Sequence, residues 1–321
     1  MHMHRISAGR EIERGNRFCT DVRHSGYTIP ANIKARAAQT GKDHMLPSYL
    51  ADTDLSSIRL VATDMDLTLL ADDKSMPECV DERIDALARR GVVFCAASGR
   101  PALALRESFP AHHQDMALVA DNGASVYLRD ELIYRDLIDH DLYREVLTRC
   151  VESGCGVPVL CAFDVAYALE RDRVHHDVVS IYYRNIIYID TFEEIDVDSN
   201  KISIYFPNWD SKRNFDEVYG PEFGERLYVT CAGDEWLDFM NLGIDKGSGI
   251  RHLAEHLGIK LTDIAAFGDT YNDIPMLDII GHSYVMANAA EHMHAHGKFL
   301  APSNNEAGVL TVIDRIIEAM A

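Results

Sequence analysis

The stretch that decides the fold runs from residue 58 to residue 70 and reads Ile58-Arg59-Leu60-Val61-Ala62-Thr63-Asp64-Met65-Asp66-Leu67-Thr68-Leu69-Leu70. A continuous apolar run bounded by polar residues is typical of a strand buried on both faces of a parallel sheet. Ligands of such sheets bind at the carboxyl ends of the strands, where Asp64 and Asp66 lie. Side chains alternate along an extended segment, so both carboxylates point to the same side. The pair indicates either a solvated strand end or a site in which a cation or a shared proton offsets the two charges.

Strand and helix patterns repeat downstream of this stretch. A helical pattern over 78–90 ends at Gly91, and a second buried run follows over 92–97, which makes a right-handed βαβ unit. Pro101 opens another helix, and 116–120 reads as a third strand. After a long interval the pattern resumes near Trp236, with a helix over 246–257, a strand over 264–267, a helix over 274–280, an extended segment over 283–286 and a helix over 311–320. The alternation predicts an α/β fold with a Rossmann-like parallel sheet.

The segment between these two halves has a different sequence pattern. It contains β-rich runs over 178–183, 186–189 and 201–206 and a helical stretch over 139–152, which together predict an α+β domain with an antiparallel sheet. We therefore predict a discontinuous core domain over 51–126 and 236–321, an inserted α+β domain over 127–235, and a flexible N-terminal extension over 1–50. The extension is polar and lacks the apolar core of a signal peptide, and Met45 is an alternative start.

Composition narrows the class of protein. The 321 residues carry 31 Lys and Arg against 51 Asp and Glu, a formal net charge of -20, which argues against nucleic acid or an anionic membrane as partner. The seven cysteines form no Cys-x-x-Cys pair and their odd number fits no complete disulfide framework, which favours a reducing, cytoplasmic compartment. No apolar run of about 20 residues exists to span a membrane. We expect a monomer or a homodimer.

Polar residues follow several of the predicted strands or open a predicted helix. Because the carboxyl ends of parallel strands meet at one edge of a sheet, we expect Ser98 to lie beside Asp64. The other polar residues at strand ends or at a helix start are Asn122, Lys246, Asp269, Asn272 and Asp273. Each also has a structural explanation when taken alone. A serine after a strand is often a helix cap, a lysine is usually solvated, an asparagine forms turns, and acidic residues stabilise helix N-termini. The histidines over 292–296 are better explained as a surface tract than as metal ligands.

The order of these residues resembles the four motifs of the haloacid dehalogenase superfamily. The motifs correspond to Asp64-x-Asp66-x-Thr68, to Ser98, to Lys246, and to Gly268-Asp269 followed by Asn272-Asp273, and the resemblance spans 58–317. The turns at 98–100 and 122–124 and the helix start at 245–247 are similar to those of the Cof-like hydrolases (subclass IIB), whose larger cap is inserted between the second and third motifs. The family usually has glycine after the second aspartate, where this chain has Leu67, and a positive φ is costly for leucine.

The resemblance implies a phosphoric monoester hydrolase. Such an enzyme would hydrolyse a small phosphorylated metabolite, a sugar phosphate or similar phosphomonoester, through an aspartyl-phosphate intermediate with Mg²⁺ as cofactor. Asp64 is then the nucleophile and Asp66 the general acid and base. The resemblance gives the remaining roles as follows: Ser98 and Lys246 catalytic and phosphate-binding, Asn122 and Asn272 phosphate-binding, and Asp64, Asp66 (through its backbone carbonyl), Asp269 and Asp273 metal-binding.

Other functions are compatible with parts of the pattern. A phosphomutase or a sucrose-phosphate-phosphatase relative has a similar cap, and a non-catalytic ligand-binding protein could keep the fold. A dinucleotide-binding oxidoreductase is disfavoured because no Gly-x-Gly-x-x-Gly follows the first strand, where two carboxylates would repel a pyrophosphate. The substrate itself is not readable, because no diagnostic motif occurs between residues 127 and 228.

Overall fold

A computed structural model describes residues 46–193 and 195–321. The predicted N-terminal extension therefore lies outside the described residues except for 46–50. Within these five residues, Leu46 packs against the core and the Pro47 carbonyl accepts from the Leu300 N–H at 2.8 Å. The border of the predicted extension at residue 50 stays a prediction. In the described part of the chain, no helix is long and apolar enough to cross a membrane.

The strands alternate with helices at both ends of the described chain and cluster in its middle. The strands are β1 (Leu60–Thr63), β2 (Val93–Ala97), β3 (Ala117–Ala120), β4 (Ser125–Leu128), β5 (Glu131–Arg135), β6 (Val157–Ala162), β7 (Val165–Leu169), β8 (Ile186–Ile189), β9 (Lys201–Tyr205), β10 (Leu227–Cys231), β11 (Trp236–Asn241), β12 (Ile264–Gly268), β13 (His282–Met286) and β14 (Phe299–Ala301). The α-helices are α1 (Val80–Ala88), α2 (Ala102–Ser108), α3 (His140–Ser153), α4 (His176–Tyr182), α5 (Ser211–Asn214), α6 (Gly220–Phe223), α7 (Lys246–Leu257), α8 (Ile274–Leu277) and α9 (Gly308–Ala319).

The first sheet has eight strands in the order β14-β13-β12-β1-β2-β3-β4-β5. The six strands from β14 to β3 are parallel, and the β4–β5 hairpin continues the sheet in antiparallel pairing. Helices α1, α2 and α9 cover one face, and α7 and α8 cover the other. Burial on both faces explains why β1 and β12 read as continuous apolar runs. The predicted α/β fold with a Rossmann-like parallel sheet is confirmed.

The second sheet has six strands in the order β10-β11-β9-β6-β7-β8, and all neighbours are antiparallel except β7 and β8. Helix α3 packs on it, as the predicted helix over 139–152 implies. The run over 178–183 was predicted as a strand and forms helix α4 instead, so that prediction is wrong. Its β-branched residues favour a strand locally, but burial of Val179 and Tyr183 against the second sheet outweighs that preference.

The chain passes between the two sheets at positions that differ from the predicted domain borders. The predicted border at 126/127 cuts β4, and the one at 235/236 assigns β11 to the first half, although β11 lies between β9 and β10. Which strands pair depends on tertiary contacts, and the local sequence pattern does not reveal these contacts. The chain leaves the first sheet after Arg135 and returns to it after Asn241. We expect the borders of the two domains at these two positions.

Candidate functional site

The carboxyl ends of β1 and β12 bring the predicted acidic residues to one edge of the first sheet. Asp64 directly follows β1, and its N–H donates to the Phe267 carbonyl of β12 at 3.1 Å. Asp269 directly follows β12. Pairing of the two strands thereby fixes the separation of the first and fourth sequence motifs, which are about 200 residues apart in the chain.

Helix α7 delivers the lysine of the third motif to the same edge. Asp245 caps the helix by accepting a hydrogen bond from the Ser248 N–H at 2.7 Å, so α7 begins at Lys246. The turn after β3 lies directly against this helix start. A Cβ on Gly123, whose φ is +96°, would be only 2.1 Å from the Asp245 carbonyl oxygen. Only glycine allows that approach, which brings Lys246 close to the strand ends.

The Lys246 ammonium is buried between two carboxylates. Its Nζ donates to Asp64 Oδ1 at 2.5 Å and to Asp273 Oδ1 at 2.7 Å, and its side chain has no exposed surface. Burial alone lowers the pKa of a lysine, yet Asp273 and Asp64 raise the pKa of Lys246 above its ordinary value. The lysine is therefore a fixed positive charge.

Three buried carboxylates surround that single cation. Ligand oxygens of Asp64, Asp269 and Asp273 lie within 4.8 Å of one another. Burial and the neighbouring carboxylates raise the pKa of Asp64 and of Asp269, although Lys246 acts in the opposite direction on both. Thr68 donates to Asp269 Oδ1 at 2.7 Å and orients it. An excess of negative charge built from oxygen donors fits a hard divalent cation such as Mg²⁺.

Asp66 is the fourth residue of the predicted metal set, in which it binds through its backbone carbonyl, and its carboxylate faces two cations. Both carboxylate oxygens of Asp66 bond to Arg100, at 2.6 and 2.8 Å, and Lys74 donates to Asp66 Oδ1 at 2.8 Å. Burial alone raises the pKa of Asp66, but the two cations hold it below its usual value. The Asp66 carboxylate is thus not part of the acidic cluster. Within 46–193 and 195–321, that cluster is the one group of three potential ligands, and the histidines over 292–296 do not form another.

A cavity of about 350 Å³ opens beside these residues. Of the predicted site residues, those on its wall are Asp64, Asp66, Ser98, Asp269 and Asn272, whereas Asn122, Lys246 and Asp273 lie outside the lining. Asn272 donates to Asn122 Oδ1 at 3.0 Å, which links the turn after β3 to the loop after β12. The structure therefore brings all eight predicted residues into one connected region, with Asn122 in a supporting position.

Sequence reasoning missed a second buried lysine, which belongs to the second sheet. Lys201 of β9 has 1% of its side chain exposed, donates to the Gly99 carbonyl beside Ser98, and lies 3.7 Å from both Asp121 and Asp238. Burial raises the pKa of Asp121 to about 6, against the opposing effect of Lys201. The available signal in the sequence was the position of Lys201 at the start of the mostly apolar run 201–206, because lysines are seldom buried without a partner.

Asp238 of β11 extends this network to the first sheet. It accepts from Asn122 Nδ2 at 2.6 Å and from Ser203 Oγ at 2.5 Å. Because Asn122 also accepts from Asn272, a continuous hydrogen-bond chain runs from the second sheet to the loop of the acidic cluster. Lys201 and Asp238 thus tie the second sheet to both loops that shape the cavity.

Leu67 has the unusual backbone that the motif requires. Its φ is 60° and ψ is 9°, which is the left-handed region, and its side chain is 40% exposed. Asn288 Nδ2 donates to the Leu67 carbonyl at 2.8 Å and helps to hold this turn. The turn redirects the chain between Asp66 and Thr68, so that Thr68 faces Asp269 while Asp66 faces Arg100.

Comparison with known proteins identifies the family. Residues 61–313 match the profile of the haloacid dehalogenase-like hydrolase family. The chain belongs to the haloacid dehalogenase-like hydrolases. Among curated members, it is 28% identical over 264 residues to 5-amino-6-(5-phospho-D-ribitylamino)uracil phosphatase of Escherichia coli (strain K12), covering 82% of this chain and 97% of that protein. It is 29% identical over 244 residues to HMP-PP phosphatase of Escherichia coli O6:H1, covering 74% and 87%.

Solved structures of other proteins have the same fold. A protein of Streptococcus mutans UA159 superposes with a TM-score of 0.76 and 25% identity, over 81% of this chain and 99% of that one. A HAD/COF-like hydrolase from Plasmodium vivax gives a TM-score of 0.72 and 24% identity, over 82% and 96%. The predicted Cof-like membership and the predicted class, a phosphoric monoester hydrolase, are confirmed.

Replacement of Leu67 by glycine tests the cost of its left-handed backbone. We expect Leu67→Gly to leave the free energy of unfolding unchanged or to raise it by up to about 1 kcal/mol, because relief of strain offsets the larger entropy of unfolded glycine. Leu132→Gly is the matched control, since Leu132 is 42% exposed but lies in strand β5. It should lose roughly 0.5–1 kcal/mol in urea denaturation. Equal losses in both variants would contradict the assignment of strain to Leu67.

Removal of the second buried lysine should destabilise the fold strongly. We expect Lys201→Met to lower the free energy of unfolding by about 3–5 kcal/mol, since Asp121 and Asp238 then lose their buried cation. Lys212→Met is the control, because that lysine forms an exposed pair with Asp216, and it should cost at most about 1 kcal/mol. A Lys201→Met protein as stable as the Lys212→Met protein in urea would show that the network contributes little.

Proposed function

We propose that this hydrolase is a Mg²⁺-dependent phosphatase of a small phosphorylated metabolite, a sugar phosphate or similar phosphomonoester, and that Asp64 carries the phosphoryl group as an aspartyl phosphate. The observation that supports this most is the position of Asp64. One of its carboxylate oxygens is held by Lys246, and the residue lines the cavity. A carboxylate fixed in this way presents an oxygen to a substrate without having to reorganise.

Asp64 begins the reaction as the nucleophile. Its free oxygen forms a bond to phosphorus while the bond from phosphorus to the leaving oxygen breaks. The Lys246 ammonium offsets the negative charge on the phosphoryl oxygens, and the Ser98 hydroxyl donates a hydrogen bond to one of them. Asp269 and Asp273 complete with Asp64 the set of carboxylates that would hold Mg²⁺. When bound, this ion supplies further positive charge for the phosphoryl oxygens.

Asp66 carries the proton in both halves of the reaction. It gives a proton to the leaving oxygen and then takes one from the water that attacks phosphorus and frees Asp64. Its present partners, Arg100 and Lys74, favour the charged carboxylate. The acid role therefore requires an incoming phosphate to draw these two cations toward itself, which lets the Asp66 pKa rise.

The named relatives agree with this class of substrate. One is named for a phosphorylated ribitylaminouracil and the other for HMP-PP, and both are phosphatases. The second sheet, which closes the far wall of the cavity, excludes water from the phosphoryl group and contacts the leaving group.

A hydrolysis screen with and without Mg²⁺ tests this proposal. We expect phosphate release from at least one phosphorylated sugar, nucleotide, pyridoxal phosphate or flavin mononucleotide, and loss of that release in EDTA. Asp269→Asn should raise the Mg²⁺ concentration for half-maximal rate by about tenfold or more, because one carboxylate of the cluster loses its charge. Asp263→Asn, at the opposite end of β12, is the matched control and should keep the wild-type requirement.

Two results would reject the proposal. One is Mg²⁺-independent turnover that survives in Asp64→Asn protein made without contaminating phosphatase. The other is a Mg²⁺ requirement that Asp269→Asn and Asp263→Asn leave equally unchanged.

A further inference from the structure

Aromatic side chains, which we call the aromatic wall, line the far side of the cavity beside the charged residues Asp234, Glu235 and Asp238. Tyr182 of helix α4 and Trp236 of strand β11 pack edge to face with ring centroids 5.2 Å apart, and both line the cavity. The Arg100 guanidinium lies 5.3 Å from the centre of the Tyr182 ring while it bonds to Asp66. Because Asp66 is the residue that serves the leaving oxygen, this aromatic wall stands on the leaving-group side of the site.

Two residues at the cavity combine unusual exposure with unusual backbone. Among residues 46–193 and 195–321, eight large apolar side chains are exposed, and ten residues other than glycine have a positive φ. Leu67 and Trp209 are the two that belong to both groups, each with a φ of 60°. Both line the cavity. A left-handed backbone is an outlier for bulky side chains, and such strain concentrates where a ligand is bound.

The two residues reach the cavity from opposite sheets. Leu67 follows the nucleophile strand β1, whereas Trp209 lies in the loop between β9 and α5. Trp209 has 67% of its surface exposed and Leu67 has 40%. Exposed apolar surface at a cavity gains free energy when an apolar ligand covers it.

We propose that Leu67 and Trp209 form the specificity rim of this site, and that the rim selects phosphomonoesters whose leaving group carries a flat, unsaturated ring. The proposal rests on the proposed phosphatase function. The ring of the leaving group stacks on the Trp209 indole, with Tyr182 as the second aromatic contact, and Leu67 covers its edge. Aromatic pairs gain attraction beyond the area they bury, so a flat aromatic ring is preferred over a saturated ring of the same size.

A matched pair of substrates isolates this preference. Benzyl phosphate and cyclohexylmethyl phosphate both release a primary alcohol and differ in the flatness of the ring. The wild-type enzyme should favour benzyl phosphate by about tenfold in kcat/KM, with most of the difference in KM.

Variants then assign the preference to the rim. Trp209→Ala should reduce the benzyl preference to about twofold or less, and Trp209→Phe should retain most of it because the aromatic face remains. Leu67→Ala should weaken both ring substrates. Val174→Ala is the control, since Val174 is exposed but lies outside the cavity lining, and it should keep the wild-type ratio. An equal ratio in wild type, or a ratio that survives Trp209→Ala, overturns the proposal.

A binding experiment distinguishes failure of the phosphatase proposal from failure of the specificity-rim proposal. If wild type releases no phosphate from any ester, calorimetric binding of benzylphosphonate and cyclohexylmethylphosphonate replaces turnover, and the same tenfold preference and its loss in Trp209→Ala are expected. Sedimentation of wild type and Trp209→Ala tests whether the rim instead contacts a second copy. A change in oligomeric state without a change in the ring preference would overturn the proposal.

Discussion

The contact on which the site depends is the buried Lys246 ammonium between Asp64 and Asp273. A charge of this kind is stable in the interior only when carboxylates and good hydrogen-bond geometry replace its water. The contact therefore joins the start of helix α7 to the end of β1 and to the loop after β12, and β1 is far from the other two in the chain. It also leaves the cluster of three carboxylates negative overall, which is the electrostatic condition for a divalent cation.

A second buried lysine repeats this principle between the two sheets. Lys201 carries positive charge from β9 to the turn that contains Ser98, and Asp238 on β11 accepts from Asn122. Polar contacts in a low-dielectric interior are directional and costly to break, so they fix how the second sheet lies over the cavity. The position of the aromatic wall then follows from the same two strands and the helix packed on them.

Much of the first sheet and its acidic edge could be predicted from sequence. Strands buried on both faces leave continuous apolar runs, and the polar residues that end them, such as Asp64 and Asp269, are visible without coordinates. The second sheet was less readable. The run over 178–183 has β-branched residues but forms a helix. Strand β11 was assigned to the core domain but pairs in the second sheet. In both cases tertiary packing decided the structure. Nothing in the sequence marks Trp209 as a cavity residue, since its position depends on a left-handed loop backbone.

The covalent state of Asp64 during turnover tests the central claim most directly. The enzyme is mixed with Mg²⁺ and a phosphate ester that it hydrolyses, and the reaction is quenched in acid within one turnover. Reduction with borohydride then converts an aspartyl phosphate into homoserine. Peptide mass spectrometry should then find homoserine at position 64 in wild type and an unmodified residue in Asp64→Asn. Turnover of substrate with position 64 unmodified, or with homoserine at another aspartate, would contradict the account.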